Sequence, residues 1–208
     1  QFSNLIGDTS LFQASAQRLT SSDIVEFTQH ITLTNSDFRF IIEEQLQDIG
    51  IDPGPILIEP EAKNTAAAIL AASIFAHSKE ENSILLVAPS DHVIPDTGDF
   101  HEAIKVGLTH AQNRKLVTFG IKPTHPETGY GYLELSTDHL DTAGSSELLR
   151  FVEKPNLHDA GQMLEAGNYL WNAGIFLFRA QDMIDAFYAY APETLDLVSQ
   201  AVNAVSYT

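Results

Sequence analysis

Four short segments of the sequence carry the side chains best suited to chemistry, and each lies where a strand-like run ends. The first is residues 88–92 (APSDH), after the apolar run at residues 83–88, which predicts a buried strand. A carboxylate at such a strand end is a common way to hold Mg²⁺, which takes oxygen ligands. Asp91 suits that role, and a helix N-cap or an Asx-turn fits its position about as well. His92 has no second histidine at metal-ligand spacing, so we expect it to orient Asp91 or a loop carbonyl.

The second segment, residues 59–65 (EPEAKNT), runs from Glu59 at the end of a compact apolar strand to the start of an apolar helix. Asn64 or Thr65 can cap that helix, and a cap is the favoured interpretation of the segment taken alone. The same helix N-terminus can also receive an anion or the polar edge of a base. The segment therefore predicts either a cap or a ligand contact.

The third segment, residues 127–132 (ETGYGY), places two glycines around an aromatic residue. Gly129 and Gly131 let backbone N–H groups approach a ligand closely while the ring of Tyr130 packs on it. The dinucleotide fingerprint is excluded, because its third glycine is missing and no helix follows. The alternative is a glycine-containing turn that enters a strand.

The fourth segment, residues 151–155 (FVEKP), acts together with residues 171–174 (WNAG). Glu153 can accept hydrogen bonds from sugar hydroxyls, and Lys154 can hold a phosphate as a point charge. Asn172 offers both a donor and an acceptor, which suits hydroxyl recognition. The alternatives are a surface ion pair between Glu153 and Lys154 and a simple turn at Asn172.

Strand-like and helix-like periodicity alternate along the chain, which predicts an α/β fold with a mostly parallel sheet covered by helices on both faces. Ligands of such sheets sit beyond the carboxyl ends of the strands, where the four segments fall. After Gly120 the sequence becomes rich in Pro and Gly, which indicates a second half packed on the first. We predict helices at residues 10–19, 38–49, 66–75, 100–112 and 156–167, and strands at residues 30–34, 55–59, 83–88, 116–119, 148–153 and 174–178.

Composition narrows the class of protein. The chain has 208 residues, no cysteine and a formal net charge of −17, from 28 acidic and 11 basic residues. Disulfides, thiolate metal sites and a cysteine nucleophile are thereby excluded. The acidic excess disfavours nucleic-acid polymers and anionic membranes as partners, since both bind clustered Lys and Arg. No apolar stretch reaches the ~20 residues of a membrane span, and no signal peptide opens the chain, so we expect a cytoplasmic protein.

Taken together and in their order along the chain, these segments resemble the sugar-nucleotide pyrophosphorylases, most closely the mannose-1-phosphate guanylyltransferase branch. The resemblance runs from Gln1 to about Ser199, and each piece is weak alone. It rests on residues 56–69 (ILIEPEAKNTAAAI), 85–94 (LLVAPSDHVI), 117–134 (VTFGIKPTHPETGYGYLE), 151–155 (FVEKP) and 169–178 (YLWNAGIFLF).

The resemblance implies a Rossmann-like nucleotidyltransferase domain over residues 1–208, with a sugar-binding half at residues 121–178. It implies that GMP passes from GTP to mannose 1-phosphate, which gives GDP-mannose and pyrophosphate, with Mg²⁺ as the cofactor. It further implies Asp91 and Lys154 as catalytic residues, which bind Mg²⁺ and the sugar phosphate respectively. The implied nucleotide contacts are Glu59, Asn64, Thr65, Pro89, Ser90 and Asp91, and the implied sugar contacts are Gly129, Tyr130, Glu153, Lys154 and Asn172.

Two parts of the family pattern lack a counterpart in this sequence. Gln1 and Phe2 resemble the tail of a Pro-Lys-Gln-Phe stretch, so the Gly-rich triphosphate loop and the first, central strand fall before residue 1. A further metal-binding aspartate, expected after Trp171, has no convincing match. We therefore expect a longer natural protein and an inactive fragment.

Two alternatives to this activity stay open. One is another hexose-1-phosphate nucleotidyltransferase. The other is a catalytically silent sugar-nucleotide-binding module, which the missing loop favours. The joint presence of Asp91, Glu153 and Lys154 opposes the silent module. The sequence is compatible with a homo-oligomer and with a C-terminal isomerase domain of the kind that some relatives carry.

Overall fold

The computed structural model describes residues 2–3, 8–61, 65–136 and 144–204. Strands and helices alternate through most of this part of the chain, as the sequence predicts. The helices are α1 (Leu11–Arg18), α2 (Arg39–Asp48), α3 (Ala66–Lys79), α4 (Thr97–Gln112), α5 (Leu157–Ala166), α6 (Ala180–Tyr190) and α7 (Pro192–Ala204). The strands are β1 (Thr32–Asn35), β2 (Ile56–Glu59), β3 (Ile84–Val87), β4 (Val117–Ile121), β5 (Tyr132–Leu135), β6 (Leu148–Val152) and β7 (Tyr169–Arg179).

The strands form two sheets, and only the smaller is parallel. Strands β1 and β2 pair in parallel, with Leu33 opposite Leu57. The larger sheet is built around β7, which pairs antiparallel with β3 and β5 on one edge and with β4 on the other. Strand β6 extends this sheet by antiparallel pairing with β5. The predicted α/β class is confirmed, but the predicted mostly parallel sheet is only partly matched, because parallel pairing within the described residues is confined to β1 and β2.

The reason for this difference is the position of β7. Strands β3 and β4 both run antiparallel to β7, so they point in the same direction, as a strand–helix–strand crossover through α4 requires. Strand β7 lies between them and runs in the opposite direction, so both strands pair with it in an antiparallel manner. Local periodicity predicts the crossover but carries no signal for a later strand inserted within it.

The main core lies between α4 and one face of β7. Phe100 and Ile104 of α4 pack in one cluster with Ile175 and Leu177 of β7. Because side chains alternate along a strand, the odd-numbered residues of β7 from Trp171 to Leu177 are buried, while the even-numbered ones are only half-buried. The even-numbered face of β7 is thereby available to a ligand.

An open cleft of about 920 Å³ separates the two sheets. Residues 31–34 in and before β1 line one side and residues 83–88 in and around β3 line the other, while α1 and α3 also contribute. Strand β3 is half-buried rather than buried as predicted, because one of its edges borders this cleft. Within the part of the chain described, no helix combines the length and the apolar character that crossing a bilayer requires.

Candidate functional site

The cleft between the sheets gathers residues from both halves of the chain. They come from the ends of β2, β3 and β6, the start of α3 and the middle of β7, as expected for a site at strand ends. Six predicted site residues line the cleft, namely Glu59, Thr65, Pro89, Ser90, Glu153 and Asn172. Four others are absent from its lining, namely Asp91, Gly129, Tyr130 and Lys154, and all four are exposed. Asn64 lies outside the described residues.

The turn that carries Asp91 is held by α1. The hydroxyl of Ser15 donates to the carbonyl oxygen of Pro89 at 3.4 Å, and the guanidinium of Arg18 donates to that of His92 at 3.0 Å. Asp91 itself is exposed, and none of the other described residues gives its carboxylate a hydrogen bond or an ion pair. The N-cap alternative for Asp91 is wrong, because α4 begins at Thr97 and its cap is Asp96. His92 contributes to this arrangement through its carbonyl.

Arg18 is a functional candidate that the sequence analysis missed. Arg18 is only 6% exposed, and burial lowers the pKa of its guanidinium from the ordinary value. The ring of His101, also buried, donates from Nε2 to the Arg18 carbonyl at 2.7 Å and accepts from the Ser22 hydroxyl at Nδ1, 2.8 Å away. This chain of contacts braces α1 against α4, and through Arg18 it fixes the turn after β3.

The start of α3 borders the cleft at Thr65. Thr65 occupies the N-cap position, but its hydroxyl accepts no hydrogen bond from the helix. The predicted side-chain cap is therefore wrong for Thr65. The first turn is formed by alanines, and the N–H groups of a first helical turn are unpaired within the helix. Glu59 stands opposite Asn35 at the end of the parallel sheet.

Tyr132, whose side chain is fully buried, holds the loop before β5 through hydrogen bonds of its hydroxyl. Its hydroxyl donates to the carbonyl of Glu127 at 2.9 Å and accepts from the N–H of the same residue at 3.0 Å. The Glu127 carboxylate in turn accepts from the N–H of Gly129 at 2.8 Å. That backbone hydrogen bond, followed by one from His125, holds the pKa of Glu127 below its ordinary value. Gly129 and Tyr130 are thus presented by a preformed turn.

Aromatic contacts join this loop to β7. The rings of Tyr130 and His125 each meet the ring of Trp171 edge-on, with centroids 5.3 and 5.0 Å apart. Trp171 is buried, while Tyr130 is half-exposed. The indole Nε1 of Trp171 is buried and has no hydrogen-bond partner among the described residues. The Tyr130 ring therefore packs against Trp171, and its exposed part is open to a ligand.

Glu153, Gly131 and Asn172 form a row across three adjacent strands or their ends. The N–H of Asn172 donates to the Gly131 carbonyl at 2.8 Å. A Cβ atom on Gly131 would lie 3.3 Å from Oε2 of Glu153 and 2.6 Å from Cζ of Phe151. Because neighbouring strands are ~4.8 Å apart, the Cα atoms of Glu153 and Asn172 are separated by roughly 10 Å. Glycine at position 131 leaves room for the Phe151 ring, which occupies the place that a side chain there would take.

Lys154 has a left-handed backbone conformation, with φ of 41°. A residue with a side chain rarely adopts that conformation, and such positions cluster at functional sites. Its Nζ lies 3.4 Å from Oε1 of Glu153, so the predicted ion pair is present. Both side chains are more than 60% exposed, and an ion pair of that kind contributes little stability. This ion pair therefore holds the Lys154 side chain only weakly, and its ammonium group can bind an anionic ligand instead.

Comparison with known proteins gives the family. Residues 2–207 match the model of the nucleotidyl transferase family. The chain belongs to this family. It is 42% identical to the xanthan biosynthesis protein XanB of Xanthomonas campestris pv. campestris, over 97% of this chain and 42% of that protein. It is 41% identical to a mannose-1-phosphate guanylyltransferase of Sinorhizobium fredii, over 98% of this chain and 39% of that protein.

The fold of this nucleotidyltransferase chain also matches a solved structure. A crystal structure described as mannose-6-phosphate isomerase from Helicobacter pylori superposes with a TM-score of 0.86 at 31% identity. The match covers the whole of this chain and 76% of that one. By contrast, the chain spans about two-fifths of the length of the curated relatives that it matches. The predicted family is confirmed.

Proposed function

We propose that the protein containing this chain is a mannose-1-phosphate guanylyltransferase, which transfers GMP from GTP to mannose 1-phosphate. The observation that carries the proposal is that one cleft brings Pro89 and Ser90, next to Asp91, together with Glu153 and Asn172. The first group suits a nucleotide phosphate and the second suits a sugar. The name of the Sinorhizobium fredii relative supports the choice of mannose and guanine.

The reaction is a displacement at the α-phosphorus of GTP. A phosphate oxygen of mannose 1-phosphate forms the new P–O bond, and the bond from the α-phosphorus to the bridging oxygen breaks. Pyrophosphate leaves with the electron pair of that bond, and GDP-mannose remains. The protein has little covalent chemistry to perform, so catalysis rests on positioning and on charge neutralisation.

A divalent cation fits the residues at the end of β3. Mg²⁺ keeps several waters in its shell and binds through one or two carboxylates together with substrate phosphates. Asp91 supplies such a carboxylate, and the described residues contain no cluster of three His, Asp or Glu side chains that would form a complete protein cage. Bound there, Mg²⁺ would neutralise phosphate charge in a chain whose net charge is −17.

The sugar-binding half comprises residues 121–178 in this proposal. Glu153 accepts from hydroxyls of mannose and Asn172 contacts the same ring, while Gly129 and Tyr130 close over it from the preformed turn. Lys154 binds the sugar phosphate, and the exposure of its side chain supports this role. Across the cleft, Glu59 and Thr65 contact the nucleotide with the turn at Pro89 and Ser90. Asn64, which lies outside the described residues, is a further proposed nucleotide contact.

We further propose that in the whole protein a strand occupies the part of the cleft between β1 and β3, as the family resemblance implies, and leaves the part at the strand ends to the ligands. Within the described residues, β1 pairs only with β2, and β3 pairs only with β7, so each has an open edge towards the cleft. Unpaired backbone groups are costly when buried, and an inserted strand would satisfy both edges. Adding the preceding segment should raise the melting temperature of residues 1–208, and an unchanged melting temperature would contradict the inserted strand.

The proposed activity is tested by pyrophosphate release from the full-length protein. GTP is compared with other nucleoside triphosphates, and mannose 1-phosphate with glucose 1-phosphate, in all combinations with Mg²⁺. Release with GTP and mannose 1-phosphate alone supports the proposal. Preference for another sugar phosphate would assign a different hexose-1-phosphate nucleotidyltransferase. No release with any pair would indicate the silent binding module.

A further inference from the structure

The amide of Asn172 has its carbonyl end fixed by the fold. Its Oδ1 accepts from the N–H of Gly174 at 3.1 Å and from the hydroxyl of Thr118 at 3.1 Å. Gly174 can present its N–H in this way because it adopts a left-handed conformation, with φ of 66°. A backbone N–H is only a donor, so the atom facing it is the amide oxygen and the Nδ2 group points elsewhere.

The Nδ2 group of Asn172 has no hydrogen-bond partner among the described residues, and Asn172 lines the cleft. Thr118 is absent from the lining, since it lies on β4 behind Asn172, where the β4–β7 register shifts between Thr118 and Gly120. The Thr118 hydroxyl also lies 3.2 Å from the carbonyl of Ile175, so it is held between two oxygens of β7. It can reach the amide without occupying ligand space.

We infer that Thr118 is a positioning residue, which fixes Asn172 as a hydrogen-bond donor towards the sugar. The inference rests on the proposed function for the identity of the ligand. Glu153, at the other end of the row, is acceptor-only when ionised. The row therefore offers a donor group at one end and acceptors at the other, with Gly131 and the ring of Phe151 between them.

This polarity defines the chemical class of ligand that the row selects. The ligand must present an oxygen that accepts from Asn172 and a hydroxyl that donates to Glu153, about one ring width away. A pyranose with free hydroxyls on neighbouring carbons meets both requirements. A ligand that has lost or methylated the hydroxyl facing Glu153 cannot donate this hydrogen bond and should bind more weakly.

The test uses the full-length protein and the variants Thr118→Val, Thr118→Ser, Asn172→Ala and the double variant Thr118→Val/Asn172→Ala. Valine keeps the shape of threonine and removes the hydroxyl. We expect Thr118→Val to weaken mannose 1-phosphate binding about fivefold, the size of one neutral hydrogen bond, while the KM for GTP stays within about twofold. Serine should restore binding. Thr109→Val on the exposed side of α4 is the matched control.

The double variant separates positioning from a merely structural role. If Thr118 acts through Asn172, Thr118→Val has no further effect on sugar-phosphate binding once Asn172 is alanine. Equal losses in both backgrounds, or equal effects on mannose 1-phosphate and GTP, would overturn the inference. Binding is measured by calorimetry as well as by KM. A protein that binds mannose 1-phosphate without turnover would refute the proposed activity, and loss of that binding in Thr118→Val would still support the inference.

Discussion

Contacts within the chain hold the side chains on one side of the cleft much more firmly than those on the other. On the side proposed to bind the sugar, β5, β6 and β7 form a hydrogen-bonded sheet, and Asn172, Glu127 and Tyr132 each have partners that fix them. On the side proposed to bind the nucleotide, Asp91 is an exposed carboxylate and the side chain of Thr65 does not cap α3. The contrast shows that sheet pairing and side-chain hydrogen bonds together preorganise the first side. We expect the second side to rely on α1 and on its ligands to order its groups.

The largest effect is expected for Asp91→Asn, which removes the negative charge of the side chain and keeps its size. We expect turnover by the full-length protein to fall at least about 100-fold, as when a major charge-stabilising contact is lost. The melting temperature should change little, because Asp91 is exposed. Asp48→Asn, at the exposed end of α2, is the control. Unchanged Mg²⁺-dependent turnover would refute the metal role of Asp91.

Next in size is Lys154→Ala, which tests the sugar-phosphate contact. A charge-assisted hydrogen bond is worth about 1.5–3 kcal/mol, so the KM for mannose 1-phosphate should rise roughly 10- to 100-fold. The KM for GTP should change much less. Lys79→Ala at the end of α3 serves as a control for loss of a positive charge. Equal effects on the two substrates would count against this placement of Lys154.

Gly131→Ala adds a side chain in the middle of the proposed sugar-binding row. Its Cβ would lie 2.6 Å from the Phe151 ring and 3.3 Å from the Glu153 carboxylate, so one of them must move. We expect an approximately tenfold loss of mannose 1-phosphate affinity, with a stability cost of about 1–3 kcal/mol from overpacking. Gly161→Ala on α5, where a Cβ meets nothing within 4 Å, should leave the affinity intact and raise the stability slightly, because alanine is the better helix former. If the two alanine variants have the same affinity, the lack of a side chain at position 131 has no role in binding.

Arg18→Gln tests whether α1 supports the nucleotide side. Loss of the contact to the His92 carbonyl should cost about 1–3 kcal/mol of unfolding free energy. Hydrogen exchange of the backbone amides at residues 90–94 should become faster, and the apparent Mg²⁺ requirement should rise. The exposed Arg39→Gln provides the comparison. Unaltered exchange at these amides would show that Arg18 does not hold the turn.

The smallest effect is expected for Glu127→Gln and appears as a pH dependence. The folded-state pKa of Glu127 lies below its ordinary value of 4.5, because the ionised carboxylate accepts from Gly129 and His125. Its contribution to stability is therefore present above about pH 4.5 and is lost as the pH falls through the lower folded-state value. The unfolding free energies of the two proteins should differ at pH 7 and converge at low pH. A difference that does not depend on pH would exclude this ionic origin.

Periodicity predicted most helices and strands because the apolar spacing of each element is local. It also placed the chemistry-bearing segments at strand ends, and six of their residues line one cleft. The direction of β7 could not be predicted, since pairing partners are set by distant parts of the chain. Arg18 and Thr118 were missed for the same reason: their contacts join residues 74 and 54 positions apart. A polar residue among the apolar positions of a short helix was the signal for Arg18.

The open strand edges beside the cleft also determine how residues 1–208 should behave in solution. Exposed edges of β1 and β3 can template pairing with another molecule, which is a route to aggregation. The net charge of −17 opposes that encounter by mutual repulsion between copies. Because salt screens such repulsion, these residues should remain dispersed at low ionic strength and self-associate as salt is added. The negative charge of the chain thus keeps molecules with open strand edges from aggregating.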